Sequence, residues 1–274
     1  MKFVSALVAA TCLAVPATTW GQLKTQVVPV RLSLTARPGV PVERDVVITN
    51  SGDRPVVVHA RLSDLDVTQS GEIRILPPGT MGPSILGLIR FEPAEFSLGP
   101  GESKPIHLTL TMPVDGPATR WGVVLSEVRS AVPEANRMGP RAIVELGSTI
   151  YLSRIDPSVI SPEVIGLDTR TIGRDSLGVV VRMRNLGERQ YFVLGQLVLA
   201  DSTGTEIACG PLPGGVVLPG ALRDFAWTGP IAAPPGRYMV RAKLDTGEPD
   251  LLVGEKELTW PPFVTPPLAE RREP

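Results

Sequence analysis

NSGDRPVVV at residues 50–58 and NLGERQYFV at residues 185–193 are the stretches whose reading decides the fold. Each places Asn-x-Gly-acid-Arg between two apolar segments. Asn and Gly accept the positive φ that a tight reversal needs, so each stretch reads as a turn running into a strand. Beyond the first turn Val56, Val58, Ala60 and Leu62 fall on one face, while Val57, His59 and Arg61 fall on the other. That period of two is the signature of a half-buried strand.

Working outward, the surroundings repeat as well. GVVVRMRN matches DVVITN, LVLADSTGTE matches LSDLDVTQSGE, and VVLPGALRDFAW matches FSLGPGESKPIHL. In both halves a strand enters the Asn turn, another leaves it, and a Leu-Pro-Gly type of turn introduces a later strand. The spacing is too long for a solenoid repeat and indicates two domains built on one scaffold.

The composition agrees. Of 274 residues, 29 are Pro and 27 are Gly, while 43% are hydrophobic, which favours many short strands and tight turns over long helices. Strands are expected at 28–35, 43–49, 55–62, 73–76 and 85–91. A second clear alternation then sets Ile106, Leu108, Leu110 and Met112 inward. A strand holding Trp121, Val123 and Leu125 follows, then a polar loop at 132–141 and an apolar run at 142–152. The expected fold class is all-β, two tandem immunoglobulin-like β-sandwich domains after a signal peptide. Their bounds are 22–153 and 163–260, with a linker at 154–162 and a disordered Pro-rich tail at 261–274. Tyr238, after Gly236-Arg237, suits a tyrosine corner.

Residues 1–21 carry one positive charge at Lys2, an apolar run and then small residues before Gln22, the layout of a secretory signal. The run is too short to span a bilayer. A periplasmic or secreted protein is expected, with no transmembrane segment in the mature chain. Cys12 falls within the signal, leaving Cys209 without an internal disulfide partner. Cys209 is expected to be buried and inert, the alternative being a bridge between two molecules.

Candidate chemistry is sparse. His59 and His107 are the two histidines, both mid-strand on the expected solvent face, and neither has a metal-ligand spacing. Asp64-Leu65-Asp66 has the look of a calcium loop, but Leu65 and Val67 belong to a strand pattern. No phosphate loop or nucleophile elbow is present. With 27 Lys and Arg against 28 Asp and Glu and no basic stripe, nucleic acid is not an expected partner. No enzyme activity, cofactor or metal is expected.

The chain resembles the PapD-like periplasmic pilus chaperones. The resemblance rests on the strand of Arg31 leading to Asn50, then FEPAEFSLGPGES, IHLTLTMP, RWGVVLSEV, a long loop and IVELGSTIYLSR. It implies two immunoglobulin-like domains set at an angle. It also implies a late strand that completes an incomplete secreted or pilin-like subunit by strand addition, without ATP, and cleft basic residues that hold the subunit's terminal carboxylate. Carried over, the subunit-binding set is Arg31, Val144, Leu146, Ile150, Leu152 and Arg154. The family's second basic anchor falls on Ile150 here, and Arg154 is the nearby cation. Two alternatives stand beside this reading. In one, the run 142–152 closes its own sheet; in the other, the chain is a structural or adhesive surface protein of tandem sandwiches, similar to the WxL-interacting proteins.

Overall fold

A computed structural model describes residues 23–131, 143–155, 159–172 and 175–260. The expected signal peptide with Cys12, the loop at 132–141, the first residue of the run at 142 and the tail at 261–274 lie outside these residues. Every regular element described is a strand.

The first half contains β1 (Thr25–Val28), β2 (Arg31–Ala36), β3 (Pro41–Asn50), β4 (Val56–Val67), β5 (Ile73–Leu76), β6 (Ile89–Glu92), β7 (Glu95–Leu98), β8 (Ser103–Thr111), β9 (Thr119–Ser130) and β10 (Ile143–Arg154). One sheet runs β1-β3-β8-β6. The other runs β2-β10-β9-β4-β5, with β7 also on β4. Their inner faces supply one core, in which Val46, Ile48, Val58, Ile106, Leu110, Ile150 and Leu152 are fully buried. The alternations at 56–62 and 106–112 point inward as expected.

Two expected strands differ. The single strand at 28–35 is two strands on different sheets: β1 pairs with β3 and β2 pairs with β10. Pro29 lies at the switch, where its missing N–H cannot continue a ladder. The strand at 85–91 begins only at Ile89, because residues 85–88 form a turn closed by Leu88 N donating to Ile85 O at 3.0 Å. Gly87 takes φ +80° there.

The second half contains β11 (Pro162–Ile172), β12 (Ser176–Asn185), β13 (Tyr191–Ala200), β14 (Glu206–Val217), β15 (Leu222–Pro230), β16 (Gly236–Asp245) and β17 (Leu252–Trp260). Its sheets are β11-β12-β15 and β14-β13-β16-β17. Val181, Met183, Val193, Phe225, Val240 and Leu244 are buried between them. Tyr238 Oη donates to Pro234 O at 2.6 Å, the expected corner. Cys209 corrects an expectation: it is exposed. β14 pairs with β13 alone in its sheet, and its alternation turns Cys209 outward.

The Asn turns repeat atom for atom. Asn50 Oδ1 accepts from Gly52 N at 3.0 Å, and Asn185 Oδ1 accepts from Gly187 N at 2.9 Å. Behind each, a Gly with positive φ, Gly101 or Gly220, donates its N–H to the Asn carbonyl.

Where the halves meet, Leu65, Trp121, Val123, Leu125 and Tyr151 from the first sandwich pack with Val216 and Leu218 from the second. Asp64, next to Leu65, is buried on β4 rather than in a cation loop. Its carboxylate accepts from Met81 N at 3.0 Å and from Ser84 Oγ. Among the described residues no three His, Cys, Asp or Glu side chains gather to hold a metal.

Candidate functional site

β10 divides into two unequal environments. On one side β9 accompanies it from Ile143 opposite Arg129 to Ser153 opposite Thr119. On the other side β2 runs parallel to it only from Thr149 opposite Arg31 to Arg154 opposite Ala36. Residues 143–148 therefore present, on the side away from β9, an edge with no paired strand among the described residues. Thr149 N donates to Val30 O at 3.0 Å, so alternation turns the backbone groups of Ile143, Glu145 and Gly147 toward the open side. At the junction Ser148 is buried and its Oγ donates to Pro29 O at 2.7 Å.

The six residues expected to bind a subunit do not form one group. Val144 and Leu146 are half-buried on the open half, their side chains resting on the first core. Ile150 and Leu152 share their face but are 0% exposed and flanked by strands on both sides, so they are core residues. Arg154, at the end of β10, donates from Nη1 to Val114 O at 2.6 Å and does not line the cleft described next. Arg31, at the start of β2, does line it.

That cleft, of about 330 Å³, lies between the two sandwiches. Arg31 enters from the first, its guanidinium carbon 3.6 Å from the centroid of the Phe192 ring of the second. Stacking of this kind holds a cation in place while leaving its in-plane N–H donors free for an anion. Arg189, Gln190 and Thr246 enter from the second sandwich, and Ser153 from the first. Ser153 Oγ donates to Gln190 Oε1 at 2.8 Å, and Thr119 Oγ1 donates to Glu188 O at 2.7 Å, tying the floor of the cleft together. Burial raises the Tyr151 phenol above its ordinary value, against smaller opposing effects of the Thr149 hydrogen bond and the Arg31 charge. It is neutral at physiological pH and does not offset the Arg31 charge.

A polar latch joins the turn after β4 to the second sandwich. Asp224 N donates to Gln69 O at 2.7 Å, and Gln69 Nε2 donates to Asp224 Oδ2 at 3.1 Å. Arg182 grips the same carboxylate through two hydrogen bonds of 2.7 and 2.9 Å. The Arg182 hydrogen bonds, ahead of the Gln69 one, pull the Asp224 carboxyl below its ordinary value.

Sequence reasoning placed Arg31 but not Arg189, Phe192 or Thr246. The signal was present, since Arg189 closes the Asn185 turn as Arg54 closes the Asn50 turn. Which of two equivalent turns faces the other domain is a tertiary matter. The position expected for a second cation, Ile150, points into the first core.

No protein-family model matches the chain, and no curated protein matches it in sequence. In fold it is similar to PapD-like fimbrial chaperones. One is in a chaperone–tip adhesin complex described as vital for synergistic activation of CFA/I fimbriae biogenesis, with 14% identity, TM-score 0.46 and coverage of 85% of this chain and 98% of that one. Another is the class 5 fimbriae chaperone CfaA, with 13% identity, TM-score 0.45 and coverage of 85% and 99%. A third is the E. coli chaperone DraB, with 14% identity, TM-score 0.44 and coverage of 86% and 98%. At these values the likeness carries no argument about what the chain does.

Proposed function

We propose that this chain is an exported, ATP-independent chaperone that binds a subunit of a secreted or surface assembly by strand addition along residues 143–148. The observation that carries this reading is the half-paired state of β10. A strand covered by β2 over its second half offers unused backbone donors and acceptors over its first half. An unpaired edge beside a core is a ready template for another chain. Val144 and Leu146, half-buried at that edge, supply apolar contact for an incoming partner. Arg31 lies at the end of the open stretch, opposite Thr149, where a carboxylate at the end of the partner's strand meets its guanidinium. Ile150, Leu152 and Arg154 have no contact with the partner in this reading.

The test is co-expression with pilin-like subunits encoded beside the gene, followed by co-purification. Leu146→Asp and Arg31→Ala are expected to abolish subunit recovery while the protein remains folded. Unchanged recovery with both variants sinks the strand-addition reading and favours a structural surface protein.

A further inference from the structure

We propose that Arg189 is the second cationic anchor of the cleft, so that a bound carboxylate bridges the two sandwiches, and that Glu248 occupies Arg189 until that carboxylate arrives. The inference rests on the reading that the cleft takes a chain-terminal carboxylate. It adds the residues of the second sandwich that complete the site and an internal competitor for it.

Among the described residues the cleft is lined by two arginines, Arg31 and Arg189, and by no Asp or Glu. Two arginines facing one volume need an anion between them or a partner for each. Arg31 rests on the Phe192 ring. Arg189 Nη2 lies 3.6 Å from Glu248 Oε1, beyond good hydrogen-bond distance, with the side chains 31% and 44% exposed. A long, half-exposed pair of this kind is easily exchanged for a better one. A chain-terminal carboxylate reaching both arginines accepts charge-assisted hydrogen bonds from two guanidinium groups rather than one.

The turn bearing Arg189 is held from three directions. Asn185 Nδ2 donates to Arg189 O at 2.9 Å, and Glu188 N donates to Val159 O of the linker at 3.0 Å. Thr119 of the first sandwich donates to Glu188 O. The guanidinium is therefore carried into the cleft on a backbone already fixed to both domains. Arg54, at the equivalent place in the first turn, does not line it. A further polar atom lacks a use in the protein alone: Thr246 is 4% exposed, lines the cleft, and its Oγ1 has no hydrogen-bond partner among the described residues. A hydroxyl in that condition is a donor awaiting an acceptor.

The experiment uses the purified mature protein and a fluorescein-labelled peptide of alternating Val and Thr, made with a free terminal carboxylate and as the terminal amide. Fluorescence anisotropy gives the affinity ratio of the two forms, and thermal unfolding checks each variant. The wild type is expected to prefer the carboxylate form. Arg189→Ala reduces that preference about tenfold, the loss of one hydrogen bond to a charged group, and Arg189→Lys restores part of it. Glu248→Gln raises affinity for the carboxylate form and leaves the amide form unchanged. If Arg31→Ala abolishes the preference while Arg189→Ala and Glu248→Gln leave it intact, Arg189 is not an anchor and the cleft reading survives without it. If the wild type does not distinguish the two forms, both the anchor and the cleft reading fail.

Discussion

Asn50 and Asn185 make the same interactions in the two sandwiches. The Nδ2 of Asn50 donates to Arg54 O at 2.8 Å and to Leu98 O at 3.3 Å, and that of Asn185 donates to Arg189 O at 2.9 Å and to Val217 O at 3.2 Å; Asn50 Nδ2 also reaches Gly99 O at 3.0 Å. Both side chains are 0% exposed. Each asparagine closes its turn and fastens it to a later strand, with no water to replace it.

Removing either amide strands buried carbonyls. Asn50→Ala is expected to cost about 2–3 kcal/mol of stability in the first sandwich, read by chemical denaturation. Asn185→Ala is expected to cost a similar amount and, in addition, to weaken the carboxylate preference, because Arg189 O loses its hold. Asn50→Ala leaves that preference intact.

Neighbouring positions of β10 should behave oppositely. Ile150→Ala empties a fully buried site between paired strands and is expected to cost about 3 kcal/mol in a thermal or urea melt. Leu146→Asp, at the half-buried open edge, is expected to cost less stability and to remove partner binding. A Leu146→Asp protein as unstable as Ile150→Ala would place residue 146 in the closed core.

Asp224 gives the latch an acid limit. Its folded carboxyl titrates below the ordinary value of 3.8 because Arg182 bonds the ionised form. The stabilisation is thus present above pH about 4 and is lost as pH falls through the ordinary value toward the folded one. The melting difference between wild type and Asp224→Asn is expected to be constant near neutrality and to shrink below pH about 4. A difference that persists at pH 2 would mean that the carboxylate charge is not what holds the latch.

Gly187 sets how closely the second turn meets the linker. A Cβ there would lie 2.2 Å from Val159 O and 2.7 Å from Ser161 N, both backbone atoms that cannot step aside alone. Gly187→Ala is expected to push the linker away and broaden the angle between the sandwiches, read as a larger radius of gyration in small-angle scattering. Each domain's fold should survive.

Much of the fold was legible because it is local. The alternation at Ile106, Leu108, Leu110 and Met112, the Asn turns and the Tyr238 corner each announce themselves within a few residues. The split of 28–35 was less visible, since apolar residues continue across Pro29 and only the pairing partners reveal two sheets. A late strand offered for addition was expected by resemblance, but where its open part ends was not legible. Val144 and Ile150 share one alternating face, and what separates them is where a strand distant in sequence, β2, begins to run alongside. Arg189 was hidden for the same reason, because a turn that reads as punctuation becomes part of a cleft only when another domain stands opposite.

In the strand-addition reading, the partial coverage of β10 by β2 also sets polarity. β10 is a rail with one end already taken, and Arg31 marks the stop. A visiting strand whose terminal carboxylate abuts that stop must point the way β2 points, so it lies parallel to β10. Among the described residues the rail includes 143–148. A chain that approaches in the opposite sense brings its amino end to a pair of guanidinium groups and is repelled. If a strand is added there, one short strand of the chain's own sheet acts as a one-way sign for it.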